Sequence, residues 1–277
     1  HACGETIDIF GAVRCLEKDK PYFKDQYDFL MQWINKWHKV DHIEKTMRPI
    51  CKVHEQKKPP TQEAVQDYLN SCNGLVGYGA WKIRGIGKDV VDTYGLTYNT
   101  RDNALVIPLQ PEGYIKRFLK PKNESKKYKR TVGLSKCFCS HNFDPTLPII
   151  VTEGEIDGIS ILEAGYPNVW AIGGVTKANK WIKTIQNYSA MWLPNENNIN
   201  PNLIIAVDND GPGQEAYSKI VEISVSEGWG KPLNFWDNLM TDEMIQAKDV
   251  NELLCKHRDI LIDTLDAFKR IFGGYHG

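Results

Sequence analysis

The sequence is short of several things, and each shortage excludes a class of protein. No stretch approaches the run of about 18 apolar residues that a membrane span requires, and the opening residues do not read as a secretory signal. Its seven cysteines are an odd number with no framework spacing. A disulfide-stapled secreted domain is therefore excluded, and reduced thiols in a cytoplasmic compartment are expected. There is no Walker-type phosphate loop, so no ATP-driven motor of that kind. Internal repeats and low-complexity tails are absent. A formal net charge of −1 rules out a uniformly basic nucleic-acid coat, which leaves the distribution of charge to be examined. What remains is ample: 277 residues, 42% hydrophobic and 10% aromatic, can bury one large core or two modest ones.

Two segments stand out within it. Pro148-Ile149-Ile150-Val151-Thr152-Glu153-Gly154-Glu155-Ile156-Asp157 and Asn202-Leu203-Ile204-Ile205-Ala206-Val207-Asp208-Asn209-Asp210-Gly211 are short apolar runs that end abruptly in acid. Buried parallel strands read this way, and functional groups of open α/β sheets gather at the carboxyl ends of such strands. If the two strands are neighbours, Glu153, Asp208 and Asp210 converge. Two bare carboxylates about 4 Å apart repel by roughly 4 kcal/mol at an effective dielectric near 20. An oxygen-ligand site for Mg²⁺ or Mn²⁺ would relieve that repulsion. Acids after strands also serve as helix N-caps or solvated turn residues, and Asp208-Asn209-Asp210-Gly211 alone is a turn signal. A third segment, Lys248-Asp249-Val250-Asn251-Glu252, follows a possible short strand at Leu233-Asn234-Phe235-Trp236. Asp249 is a further candidate ligand or a helix-start acid.

In the order Glu153-Gly154 with Asp157, then Asp208-x-Asp210 with Gly213, then Lys248-Asp249-x-Asn251, residues 146–256 resemble a TOPRIM domain, the catalytic fold of DnaG-type primases, topoisomerases and some nucleases. The resemblance implies that Glu153, Asp208 and Asp210 are catalytic and bind metal, that Asp249 contributes, and that two or more Mg²⁺ or Mn²⁺ ions are held. It gives Asp157, Gly154, Gly173, Gly213 and Asn251 supporting roles, with Gly173-Gly174 as the tight turn after Val169-Trp170-Ala171-Ile172.

The preceding stretch narrows the family. Arg84-Gly85-Ile86-Gly87, Thr93-Tyr94-Gly95-Leu96 and Ala104-Leu105-Val106-Ile107-Pro108-Leu109 are similar to the opening of the polymerase domain of DnaG-type primases. The spelling around Glu153 and Asp249 is closest to the primase half of phage primase–helicase proteins. Between residues 112 and 136 there are nine Lys or Arg against two acids: Lys116, Arg117, Lys120, Lys122, Lys126, Lys127, Lys129, Arg130 and Lys136. Tyr114, Phe118 and Tyr128 are interleaved. Such a mix suits a single strand, with cations on phosphates and rings on bases, and a solubilising hairpin is the plain alternative. Arg84, Lys116, Arg117, Lys127, Tyr128, Lys129, Arg130 and Lys136 are the candidate nucleic-acid or nucleotide contacts.

Four segments are expected. Residues 1–60 are read as the end of a zinc ribbon followed by a helical linker, with Ile7, Phe10 and Val13 and then Tyr27, Leu30, Met31 and Ile34 at helical spacing. His1-Ala2-Cys3-Gly4 resembles the last ligand and glycine of the ribbon that precedes primase catalytic domains. Cys3 and His1 cannot complete a four-ligand site, so zinc is expected only in a ribbon lying before residue 1 of a truncated or processed chain. Residues 61–145 form a mixed α+β basic subdomain, opened by Thr61 as a helix cap. Strands and helices alternate over 146–256, which predicts a parallel sheet flanked by helices. A helix over 257–277 closes the chain. Cys137-Phe138-Cys139-Ser140-His141 has ligand types at a spacing atypical of zinc sites.

The expected protein is thus α/β, a TOPRIM domain preceded by a basic subdomain. The expected activity is synthesis of short RNA primers on single-stranded DNA from nucleoside triphosphates. The expected partners are the template, the nucleotides and a replicative helicase in cis or in trans, with no membrane. The setting would be bacterial or phage-infected host cytoplasm, at the nucleoid. A TOPRIM nuclease or topoisomerase-like fragment is the alternative, as is a non-enzymatic module that binds single strands.

Overall fold

In the computed structural model the chain divides into two compact units, His1–Lys57 and Lys58–Gly277. The structure describes residues 58–72, 74–109, 111–121, 127–132, 137–144, 146–174, 199–228, 230–241 and 245–272, all in the second unit. The ribbon-like opening, the helical spacing over residues 5–40, and Lys122, Lys126 and Lys136 lie outside the described residues.

Three helices lead in: α1 (Gln62–Asn70), α2 (Gly74–Lys82) and α3 (Lys88–Thr93). The Thr61 hydroxyl accepts the Ala64 N–H at 3.3 Å and starts α1, as its sequence predicts. A four-stranded antiparallel meander follows, β1 (Thr97–Asn99), β2 (Ala104–Leu109), β3 (Gly113–Phe118) and β4 (Tyr128–Arg130), paired in that order. Asn103, at φ 49°, turns β1 back into β2.

The second sheet has the order β5-β7-β6-β8-β9, built from β5 (Phe138–Cys139), β6 (Ile149–Thr152), β7 (Val169–Ala171), β8 (Ile199–Ala206) and β9 (Lys231–Asn234). The last four run parallel, and β5 is antiparallel to β7. The strands of residues 146–256 are parallel, as their alternation with helices predicts, and β5 from the preceding segment adds an antiparallel edge. Parallel pairing takes a crossover between strands, and β5 comes from the segment before β6 and pairs antiparallel with β7 at the sheet edge. Among the described residues it is the one strand of the 61–145 segment that joins the second sheet.

Helix α4 (Glu155–Glu163) crosses from β6 to β7, and α5 (Gly211–Ser226) from β8 to β9. Helices α6 (Val250–Lys256) and α7 (Arg258–Phe272) close the described chain. The period-2 rule assigns the two faces of the central strands. Ile150, Ile204 and Ala206 pack with Ile156 and Ile159 of α4 and with Leu253, Leu261 and Leu265 of α6 and α7. Ile149, Val151, Leu203, Ile205 and Val207 pack on the other face with Ile220 of α5. Burial on both faces explains why both runs read as unbroken apolar strings. The first cluster continues under the meander through Trp81, Leu105, Ile107 and Ile115, so a single apolar core underlies both sheets. Trp81 is fully buried, and its indole N–H donates to the Thr97 carbonyl at 3.0 Å.

Candidate active site at the strand ends

β6 and β8 are hydrogen-bonded neighbours, with Thr152 opposite Ala206. The acids that follow them therefore emerge side by side. The chain leaves β6 through Glu153, whose carbonyl accepts the N–H groups of Gly173 at 2.8 Å and Gly174 at 3.1 Å. Gly173 has φ +66°, and the space where a side chain would stand is filled by the Arg130 guanidinium and the Glu155 carboxylate. Gly154 is the N-cap of α4, which brings Asp157 into its first turn.

After β8 the turn is tighter. A Cβ on Gly213 would run into the backbone carbonyl of Asp208. Only a hydrogen fits, and this holds the start of α5 against the acid loop. Asp210 is the N-cap of α5, one oxygen accepting the Gly213 N–H at 3.0 Å. Asp249 caps α6 in the same way, accepting the Glu252 N–H at 2.7 Å. Both acids thus fill the cap role that the sequence offered as the plain alternative, and each uses one of its two carboxylate oxygens to do so. Asn209 fastens the second loop to the third, its N–H meeting the Lys248 carbonyl at 2.6 Å and its amide the Ala247 carbonyl at 3.2 Å.

The acids feel one another. Burial pushes the Glu153 carboxyl up, and the charges of Asp208 and Asp210 push it further. Asp208 is likewise raised, by burial first and then by Asp249 and Asp210, with Lys248 and Lys127 opposing. Asp157, buried beneath them, is pushed up to about 8 by burial, Asp249 and Asp208, against one Asn251 N–H that favours its charged form. Lys248 bridges the second pair, its Nζ 3.5 Å from Asp210 and 4.0 Å from Asp208. The two acids in turn raise the Lys248 ammonium.

The donor set suits a hard divalent cation, since it is made of carboxylate oxygens in mutual repulsion. No three His, Cys, Asp or Glu side chains among the described residues stand in a ligating arrangement. Lys248 supplies the local counter-charge instead, on a side chain 59% exposed and free to leave.

Alternation along β3 and β4 sorts the basic residues into two sets. Arg117 lies opposite Tyr128 and Ile115 opposite Arg130 on one face, with Lys116 opposite Lys129 on the other. The first face meets the acid loop. The Arg117 guanidinium lies 4.9 Å from the centre of the Tyr128 ring. Burial and the nearby Asp157 push the Tyr128 phenol up to about 12, with Arg117 and Arg84 opposing. Arg130 pairs with Glu155, whose side chain is 3% exposed, and this pair pins β4 to the first turn of α4. The second face is engaged elsewhere. Lys116 is buried, pairs with Asp102, and sits 4.0 Å above the Tyr68 ring. Lys129 is exposed on that side.

The third loop is held by Asn251. Its N–H donates to Asp157 at 3.1 Å, and its amide nitrogen donates to the Arg84 carbonyl at 2.8 Å and the Ser160 hydroxyl at 3.0 Å. Arg84 returns a hydrogen bond to the Asn251 amide oxygen at 3.3 Å. Sequence reasoning named neither Lys248 nor Glu155 as a site residue. Lys248 precedes Asp249 in the motif, and Glu155 is the second acid of Glu153-Gly154-Glu155, so both were in plain sight. Cys137, Cys139 and His141 line a separate cavity of about 510 Å³ with Tyr94 and Asp92.

These loops define a class. Residues 150–254 match the Toprim-like family. Among solved structures the chain is similar to the primase fragment of the bacteriophage T7 primase–helicase protein. That pair shares 22% identity at a TM-score of 0.47, over 66% of this chain and 72% of that one. It is also similar to the zinc-binding and RNA polymerase domains of Aquifex aeolicus primase, at 15% identity and a TM-score of 0.48, over 96% of this chain and 71% of that one. A DNA primase domain from Pseudomonas aeruginosa is similar at 12% identity and a TM-score of 0.49, over 75% of this chain and 78% of that one. No curated protein matches the sequence.

Proposed function

We propose that this chain is the catalytic part of a DNA primase, joining ribonucleotides into short primers on a single-stranded DNA template. The observation that supports this best is the meeting of opposite charges at one sheet edge. Glu153 and Asp208 lie where β6 and β8 end, and Lys127, Tyr128 and Arg117 come to the same edge from the meander. A nuclease needs the acids, and a binding module needs the bases. A template-directed polymerase needs both within one nucleotide's reach.

Glu153, Asp208 and Asp210, with Asp249, are the residues that would hold Mg²⁺ or Mn²⁺, two ions or more. Ions held there would neutralise the triphosphate and acidify the attacking 3′ hydroxyl. The 3′ oxygen bonds to the α-phosphorus, the bond to the β-phosphate oxygen breaks, and pyrophosphate leaves. Glu153, its proton affinity raised by burial and by its neighbours, serves as a ligand or takes the hydroxyl proton. Lys127 and Arg84 bind nucleotide or template phosphates, and Tyr128 offers a ring to a base. Lys129 sits on the other face of β4 and meets the strand as it leaves the site. Such a protein acts in the cytoplasm beside a replicative helicase, in cis or in trans.

The test is incorporation of labelled ribonucleotides on single-stranded DNA with Mg²⁺ or Mn²⁺. Asp208→Asn combined with Asp210→Asn should abolish products while leaving strand affinity intact. Cleavage of the strand in place of synthesis would favour a nuclease. Strand binding with neither synthesis nor cleavage in the unaltered chain would favour a binding module.

A further inference from the structure

Most cations around the site are neutralised. Lys116 is paired with Asp102, Arg130 with Glu155, Arg258 with Glu163, and Lys248 with Asp208 and Asp210. Arg84 is held differently. Among the described residues it pairs with no carboxylate, and the group that grips its guanidinium is the neutral Asn251 amide, at 3.3 Å. That amide is 5% exposed and itself fixed from two sides, by the Arg84 carbonyl and by Ser160. The same residue's N–H holds Asp157 on α4. Arg84 stands close enough to Tyr128 and to Cys255 to bias the ionisation of both, so its charge lies at the seam between the meander and the third acid loop.

A guanidinium held by a carboxylate has spent its charge, and one left in water has no fixed direction. A neutral tether gives direction and keeps the full positive charge for a ligand. We infer that Asn251 is a positioning residue that aims Arg84 as an anion clamp for the triphosphate of the incoming nucleotide. It does so by coupling the cation's position to the α4 acid loop through Asp157. This rests on the polymerase reading for the identity of the anion. A planar amide is needed because one short group must accept from Arg84 and donate to two oxygens at once. Asn251→Asp keeps the shape and the acceptor, but it cancels the clamp's charge and loses the donors.

Equilibrium binding of GTP with Mg²⁺, measured by calorimetry, tests the coupling without requiring turnover. Arg84→Gln should weaken GTP affinity about tenfold, the size expected for one charged hydrogen-bonded contact. Asn251→Asp should weaken it similarly, and the double variant no further. Ser160→Ala, which removes one of the two oxygens that fix the amide, should weaken GTP affinity less than Asn251→Asp and not at all once Arg84 is replaced. If Asn251→Asp weakens binding equally with and without Arg84, or if Arg84→Gln stays within about twofold of the unaltered chain, the tether is refuted. Non-additive GTP binding in a chain that makes no primer would keep the clamp and sink polymerisation. Additive binding in a chain that does make primer would sink the clamp alone.

Discussion

Glu155→Ala should unfold this protein far more readily than its position, two residues beyond a candidate catalytic acid, would suggest. The Glu155 side chain is 3% exposed and its partner Arg130 19% exposed. Removing one member of a buried pair leaves the other charge uncompensated, at a cost of about 3–5 kcal/mol. Arg130 retains some water, so the lower end applies, about 3 kcal/mol. For a unit of this size each kcal/mol moves the melting temperature by about 2–4 °C, giving a fall of about 10 °C. Arg130→Met should cost less, since Glu155 can be protonated. Glu155→Leu with Arg130→Met should recover most of the loss, because an apolar pair of similar volume replaces two desolvated charges. Thermal unfolding followed by circular dichroism measures all four proteins. A fall below about 3 °C for Glu155→Ala, or a double variant no more stable than Glu155→Ala, would refute the reading of this pair as the clamp between β4 and α4. The double variant also tests Arg130 directly, since a clamp residue can be replaced with little loss of strand affinity and a phosphate contact cannot.

Other outcomes follow from the same loops. Gly213→Ala sets a methyl group against the Asp208 carbonyl; it should cost about 1–3 kcal/mol in urea unfolding and depress primer synthesis by displacing Asp208. In metal-free protein, Asp157 keeps its proton to about 8 when folded, whereas the unfolded chain releases it near the ordinary value of about 4. Stability should therefore be full below that ordinary value and fall as pH rises through this window. Asp157→Asn should flatten the fall and exceed the unaltered protein by more than about 1 kcal/mol at pH 8, as read from melting curves across pH. Lys248→Met removes the ammonium between Asp208 and Asp210, so Mn²⁺ should bind more tightly and raise the melting temperature by a larger increment.

The strands that seat the acids were legible because burial on both faces leaves an apolar run that only a turn can end. Ile149–Thr152 and Leu203–Val207 obey that rule without exception. Gly213 was legible too, as a small residue where a helix starts against a strand end. The fate of the basic stretch was not. Counting cations between 112 and 136 could not say that the pleat of β3 turns Lys116 inward to Asp102 and Tyr68 while the next residue, Arg117, lies over Tyr128. That choice is set by which face of the meander meets the second sheet, a tertiary fact. Arg130 shows the same limit, since its partner Glu155 lies beyond two strands, β5 and β6, in the sequence. Asp210 caps with one oxygen and meets Lys248 with the other, and Asp249 caps with one oxygen while its charge still raises Asp208, so capping and membership of the acid group are not the alternatives that sequence alone had posed.

The measurement that bears most directly on the whole account is labelled ribonucleotide incorporation on single-stranded DNA, with Mg²⁺ or Mn²⁺, by the unaltered chain beside Glu153→Gln. The account predicts short RNA products whose composition follows the template, and their loss in the variant at unchanged strand affinity. No product from the unaltered chain, with a supplied primer also left unextended, would contradict it.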